Sequence, residues 1–204
     1  MNKKIKPLIL ASTSPYRADI LRAAGLEIET YAAKIDERCI ESDLMAAGKI
    51  DSPKMLSHIL AVEKAYDVAK HFPERLVLGA DQVLDFYGEI LHKPKTYDEV
   101  RERLALFSDK EHYLHSAVVL VKGNKMIWSG VETACLKMRA LSTAFIETYI
   151  EREKEKLLSS VGAYRIEGMG IQLFEKIEGN FFTIIGMPLL GILSQLRDLG
   201  VIDA

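Results

Sequence analysis

Short apolar runs alternate with amphipathic segments that carry their own start signals, and some neighbouring apolar runs are separated only by tight turns. Ser14-Pro15 and Ser52-Pro53 are each an N-cap followed by proline at the first helical position, and each opens a segment with apolar residues three and four apart. The first helix carries Ile20, Leu21 and Ala24 and stops at Gly25, whereas the second carries Met55, Ile59, Val62, Tyr66 and Ala69 and ends near Pro73. A short buried strand is expected at Lys6 to Leu10, and another at Leu76 to Leu84, turning at Tyr87 and Gly88 into a partner at Glu89 to His92. Thr96 and Glu99 form a capping box for a helix reaching about Phe107.

The second half reads similarly. Strands are expected at Leu114 to Val121, Met126 to Val131 and Thr133 to Met138, the first two joined through Gly123 and Asn124. Ser142 caps a helix that continues into Glu147 to Lys156, a charged run best read as a solvated face. After a glycine-dense stretch come strands at Ile171 to Phe174 and Phe181 to Ile185, joined by a turn at Glu178 to Asn180, then a last helix, Leu189 to Leu199, stopped by Gly200. Hairpins mixed with helical crossovers imply an α/β fold: a mixed twisted sheet with flanking helices, one domain over residues 1–204.

Composition narrows the function. Lys plus Arg total 27 against 29 Asp plus Glu, a net charge of −2, which disfavours a nucleic-acid polymer as partner. No apolar stretch reaches the ~20 residues of a membrane span, and the run after the three lysines of Met1 to Lys6 is too short for a signal peptide. Cys39 and Cys135 are the only cysteines, so neither a disulfide framework nor a thiolate metal site is expected, and a reducing cytoplasm fits best.

Three places could carry chemistry. The strand, serine-rich turn and helix over Leu8 to Leu21 (LILASTSPYRADIL) point backbone N–H groups and a positive helix end at one spot, a ready anion site. Arg17 falls at the third helical position, where the dipole disfavours a cation unless an anion offsets it; a plain helix cap with a solvated arginine is the alternative. Asp81 lies inside LVLGADQVL, where an unpaired charge would cost several kcal/mol, so it faces a cleft, meets a cation, or marks a turn after Gly79. Asp36 and Glu37 sit in an expected loop after Glu27 to Tyr31; Glu37 and Asp81 could hold a hard divalent cation, Mg²⁺ or Mn²⁺, while Arg17, Lys64 and Lys93 neutralise a polyphosphate. His112 and His115 fall on opposite faces of their strand and do not suggest zinc.

The order LASTSPYR, IDE, EKA, GADQV, HKP, VGAYRIEGMG, EGNFFTIIGMPL resembles the Maf family of nucleotide pyrophosphatases, also called septum formation inhibitors, over essentially the whole chain. The resemblance implies an elongated, ITPase-like fold with a central nucleotide cleft between two lobes, a homodimer, and metal-aided hydrolysis of a nucleoside triphosphate to the monophosphate and pyrophosphate. By that resemblance Ser12, Ser14 and Arg17 form the phosphate loop, Glu37 and Asp81 the acidic centre, and Lys64 and Lys93 the phosphate-contacting lysines. The proposed general base falls on Asp81, which the resemblance leaves as either base or metal ligand. Tyr16, Gln82 and Glu167 stand where the dTTP and UTP branch has Arg, Thr and Gln, and they resemble instead the branch acting on 7-methyl-GTP. Glu167 could accept from guanine N1–H and the 2-amino group, and Tyr16 could stack on a cationic base. His92 replaces the usual glycine before Lys93-Pro94, Asp109 stands where a glycine is frequent, and Leu157 to Val161 replaces a proline and lysine pattern. A non-catalytic nucleotide sensor in cell division and a phosphatase releasing orthophosphate are the rival functions.

Overall fold

In the computed structural model, which describes residues 7–203, strand β1 (Leu8–Ala11) pairs in parallel with β2 (Ile28–Thr30) and with the start of β3 (Leu76–Phe86). The end of β3 instead pairs antiparallel with β4 (Glu89–Leu91). Along its other edge β3 is antiparallel to β5 (Glu111–Lys122), which pairs with β6 (Lys125–Met138), and β6 with β7 (Phe174–Glu178). The result is one mixed seven-stranded sheet, β2-β1-β3-β5-β6-β7, with β4 attached to β3.

This pairing leaves a gap. β1 leaves β3 at Gly79 and β4 joins it only at Leu84, so Ala80 to Val83 have no strand on that edge. Asp81 and Gln82 occupy the gap on opposite faces, as successive strand residues must.

Helices cover both faces. α1 (Pro15–Ala23) starts where Ser14 accepts a hydrogen bond from the Arg17 N–H at 3.4 Å, and α3 (Pro53–Ala69) starts at Ser52 in the same way. Ala61, Ala65 and Val68 of α3 bury against Ile9, Val77, Ala117 and Val119. On the opposite face, Leu21 of α1 and Ile192 and Leu196 of α7 (Leu189–Asp198) pack on Leu10, Leu78 and Leu120. Farther along that face α4 (Tyr97–Phe107) and α5 (Thr143–Glu153) place Leu104, Phe107, Ile146 and Tyr149 over Leu84, Leu114 and Leu136.

Gly79 sets how closely α3 approaches the sheet. A Cβ built there would lie 2.2 Å from the Ala61 carbonyl oxygen and 2.8 Å from the Ala65 Cβ. Gly79→Ala is therefore expected to lower stability by about 1–3 kcal/mol through overpacking. A thermal melt checks it, and a Tm equal to wild type would refute the close-approach argument.

Several elements differ from the sequence expectation. Glu37–Ala46 is a helix, α2, not a loop, because Asp36 accepts from the Cys39 N–H at 3.0 Å and caps it. Residues Met169–Leu173 form a 3₁₀ turn rather than a strand, and β7 begins only at Phe174. Phe181–Ile184 is a short helix, α6, since Asn180 caps the Phe182 N–H at 2.8 Å; apolar run alone did not distinguish it from a strand. α5 ends at Glu153, where Lys154 turns to φ 49° and a 3₁₀ segment, Lys154–Ser159, replaces the expected last turns. β6 is one strand, not two. Lys6, expected to begin the first strand, lies outside the described residues.

Candidate active site

The gap in β3 opens into a cavity of about 780 Å³. All ten residues that the family resemblance assigns to the site line it, Ser12, Ser14, Tyr16, Arg17, Glu37, Lys64, Asp81, Gln82, Lys93 and Glu167, whereas Asp36 does not. They come from segments far apart in the chain, and each is set by local structure.

At the floor, Lys64 projects from α3 to the α3 side of β3. Its Nζ lies 2.6 Å from Asp81 Oδ1 and 2.8 Å from Glu37 Oε1, so one ammonium bridges both carboxylates. The close α3 approach permitted by Gly79 puts Lys64 within reach, and the Asp36 cap puts Glu37 at the first position of α2. Asp81 is 5% exposed, and burial raises its pKa even though Lys64 and Arg17 pull it back. Desolvation outweighs both cations and works against the ionised form.

Arg17 fills the missing strand edge. Its Nη1 donates to the Ala80 carbonyl at 2.9 Å, and its Nε donates to the Gly186 carbonyl at 3.0 Å. Burial lowers its pKa, with Asp81 and Glu37 acting in the opposite sense. The arginine disfavoured at a helix start is thus held by two backbone oxygens and faces two carboxylates. Ahead of it, the Ser14 N–H donates to Ser12 Oγ at 3.1 Å, fixing the serine turn at the end of β1. Accepting these bonds leaves each hydroxyl its own proton for a ligand. Lys93 follows β4 on the opposite wall; burial lowers its pKa first, and neighbouring Arg17 adds to that.

Gln82 lines the cavity but is heavily committed to the protein. Its Nε2 lies 3.0 Å from Ser116 Oγ, 3.1 Å from the Thr183 carbonyl and 3.0 Å from the Ile184 carbonyl. Ser116 donates to the same Thr183 carbonyl at 2.7 Å, and Thr183 Oγ1 donates to Glu132. Gln82 therefore ties β3 to α6, and Gly186, two residues beyond α6, accepts from Arg17. Glu167 binds Arg165 Nε at 2.8 Å, and the Tyr16 phenol has its pKa raised by burial and then by Glu167.

Sequence reasoning missed other lining residues, among them Arg38, Glu41, Lys95 and Arg165. Glu41, nearly buried, pairs with His92 Nε2 at 3.1 Å and Arg38 at 3.8 Å. Had α2 been recognised as a helix, its i, i+4 spacing from Glu37 would have placed it on the cleft side. His112 and His115 do lie on opposite faces. His112 stacks on Phe107 and meets Tyr164, while His115 sits between Asp85 and Thr133. Among the described residues no cluster of three His, Cys, Asp or Glu side chains is arranged as a metal cage. None of the described helices is long and apolar enough to cross a membrane.

Fold and cleft together define a mixed α/β protein whose interrupted sheet edge gathers cations around two carboxylates. The chain belongs to the family of Maf-like proteins, whose model matches residues 7–199. It is similar to the 7-methyl-GTP pyrophosphatase of Rhizobium meliloti strain 1021, 48% identical over 98% of this chain and 100% of that protein. It is likewise 50% identical to the 7-methyl-GTP pyrophosphatase of Bartonella henselae, over 96% of this chain and 97% of the relative. Among solved structures, a dITP/XTP pyrophosphatase from Mycobacterium abscessus aligns over 96% of both chains at 13% identity and a TM-score of 0.44. The Ham1 protein of Staphylococcus aureus aligns over 65% of this chain and 72% of its own, at 13% identity and a TM-score of 0.38. At those TM-scores neither structure adds to the argument.

Proposed function

We propose that this protein hydrolyses nucleoside triphosphates at the α-phosphorus, releasing the monophosphate and pyrophosphate, and that 7-methyl-GTP is its favoured substrate. The observation that carries the proposal is the Lys64 ammonium bridging Asp81 and Glu37 beside Arg17, at the floor of a cavity of about 780 Å³. Basic and stacking groups suffice to bind a polyphosphate, whereas a hydrolase also uses paired carboxylates to act on water.

In this reading Asp81 takes the proton of a water as its oxygen attacks the α-phosphorus. The α-phosphorus bond to the α–β bridging oxygen breaks, and the electron pair leaves on pyrophosphate. Arg17, Lys93 and the hydroxyls of Ser12 and Ser14 offset charge on the phosphates. Lys64 holds Asp81 and Glu37 in register. Each carboxylate has one oxygen on Lys64 and a second to offer, and one or two protein carboxylates are what Mg²⁺ takes when phosphates and water complete its shell. The donor set fits Mg²⁺ or Mn²⁺: Glu37 would hold it where Asp81 is the base, and Asp81 and Glu37 together where Asp81 is a ligand instead. Such an ion, when bound, screens the phosphates and polarises the phosphoryl oxygens.

The base end rests on Tyr16 and Glu167, a stacking ring beside a carboxylate, which suits a cationic purine with N–H donors. Gln82 lines the same cavity, with its amide bonded to the Thr183 and Ile184 carbonyls of α6. The names of the relatives point to the same base. A homodimer acting in the cytoplasm, each chain a single domain, belongs to the same proposal.

A nucleotide panel with Mg²⁺ or Mn²⁺, assaying pyrophosphate and orthophosphate separately, tests it. The expected result is pyrophosphate release with kcat/KM highest on 7-methyl-GTP. Comparable values on UTP would overturn the base assignment. Orthophosphate as the first product, or no turnover with either metal, would overturn the reaction.

A further inference from the structure

Arg103 belongs to α4 and is not among the residues lining the cavity, yet its guanidinium joins two segments that do. Its Nη1 donates to the His92 carbonyl at 3.0 Å and to the Val161 carbonyl at 2.6 Å. His92 is the residue before Lys93. Val161 is the residue before Gly162, and Gly162 and Tyr164 to Glu167 line the cavity. A single side-chain nitrogen therefore spans the turn assigned to the phosphates and the loop assigned to the base.

The arrangement is not what stability alone would select. Among the described residues Arg103 forms no ion pair, and Glu99 and Glu89 act on it only as neighbouring charges; burial is the largest influence on it and lowers its pKa. A partly dehydrated cation satisfied by two neutral carbonyls gains little over an apolar side chain of similar volume. The two N–H groups on Nη1 do, however, lie at a fixed angle in the guanidinium plane and hold the two acceptors at one separation, which a freely rotating ammonium does not. The guanidinium is itself steadied, its carbon lying 5.9 Å from the Phe107 ring centroid. The His92 side chain extends the link, since its Nε2 lies 3.1 Å from Glu41 on α2, the helix that begins with Glu37.

We infer that Arg103 is a positioning residue that locks the Lys93 turn to the glycine-rich loop, fixing the separation between the polyphosphate and base ends of the bound nucleotide. The inference rests on the proposed function, which assigns Lys93 to the phosphates and Glu167 to the base. Its structural half, the coupling of the two segments, can be measured without nucleotide.

The test compares Arg103→Lys and Arg103→Met with wild type. Hydrogen exchange in peptides covering residues 91–95 and 160–168 is expected to quicken in both segments together in each variant. kcat/KM on 7-methyl-GTP is expected to fall on the order of tenfold to a hundredfold, as misplacement of binding groups does. The preference for 7-methyl-GTP over UTP is expected to shrink at the same time. Lys93→Met is expected to lower kcat/KM with the base preference kept, and adding Arg103→Met to it is expected to cost less than Arg103→Met alone. Unchanged exchange, or faster exchange in only one segment, would overturn the coupling. Wild-type kcat/KM and base preference in a folded Arg103 variant would overturn the positioning role. If Arg103→Met does not fold, Arg103→Lys, which keeps the charge and stem, decides. If wild-type protein hydrolyses no nucleotide, the proposed function fails and the exchange measurement still judges the coupling.

Discussion

Asp81→Asn is expected to reduce turnover of nucleoside triphosphates by on the order of 10²–10⁴-fold, the usual contribution of a positioned general base, while leaving the fold intact. Asparagine keeps the shape of Asp81 and removes its negative charge. The fold should tolerate this because burial already works against the ionised carboxylate more strongly than Lys64 and Arg17 support it. Lys64 keeps Glu37 at 2.8 Å as a partner. The Tm of the variant is therefore expected to equal or exceed that of wild type. For the wild type, the same raised pKa places the acid limb of kcat/KM above an aspartate's ordinary 3.8, because activity is lost as pH falls through the pKa of the base. Turnover by Asp81→Asn near the wild-type rate would remove Asp81 from the mechanism. Lost turnover together with a strongly lowered Tm would show that the charge serves the fold instead.

Lys64→Met is expected to lower stability by about 3–5 kcal/mol, the range found when one partner of a buried ion pair is removed. Its side chain is 11% exposed and that of Asp81 7%, so the stranded carboxylate has little water to turn to. At two to four degrees per kcal/mol for a chain of this size, Tm should fall by roughly 10 °C. The loss has a sign in pH. An acid whose pKa is higher folded than unfolded binds a proton more readily in the native state, so stability declines as pH rises through the titration. Without Lys64 the Asp81 pKa moves further up, and the Tm deficit should shrink as pH is lowered. Adding Asp81→Asn should restore most of the Tm at neutral pH but none of the turnover. A Lys64→Met protein as stable as wild type at all pH values would show that the bridge contributes nothing to the fold.

The residue types that make the cleft were legible in the chain because each conflicts with its local setting. A carboxylate inside LVLGADQVL and an arginine in the first turn of a Ser14-capped helix are both unfavourable until they meet an opposite charge. The helix starts at Ser14, Ser52, Thr96 and Ser142 were legible because a capping side chain satisfies backbone N–H groups within three residues. Elements whose identity depends on neighbours were not. The apolar run at Phe181 suits a strand as well as a helix, and Asn180 with packing on β5 and β6 decided for a helix. The last turns expected after Glu153 gave way to a 3₁₀ segment that buries Leu157.

By itself, then, the sequence determined the mixed α/β architecture, the capped helices and the charged side chains that needed partners, because those follow from contacts within a few residues and from the cost of an unpaired charge. Only the tertiary structure decided which partners they found. β1 and β4 leave Ala80 to Val83 unpaired between them, Gly79 brings α3 close enough for Lys64 to bridge Asp81 and Glu37, and Arg17 occupies the vacant edge. Strand register and helix approach are set by packing between segments distant in the chain, and no local pattern encodes them.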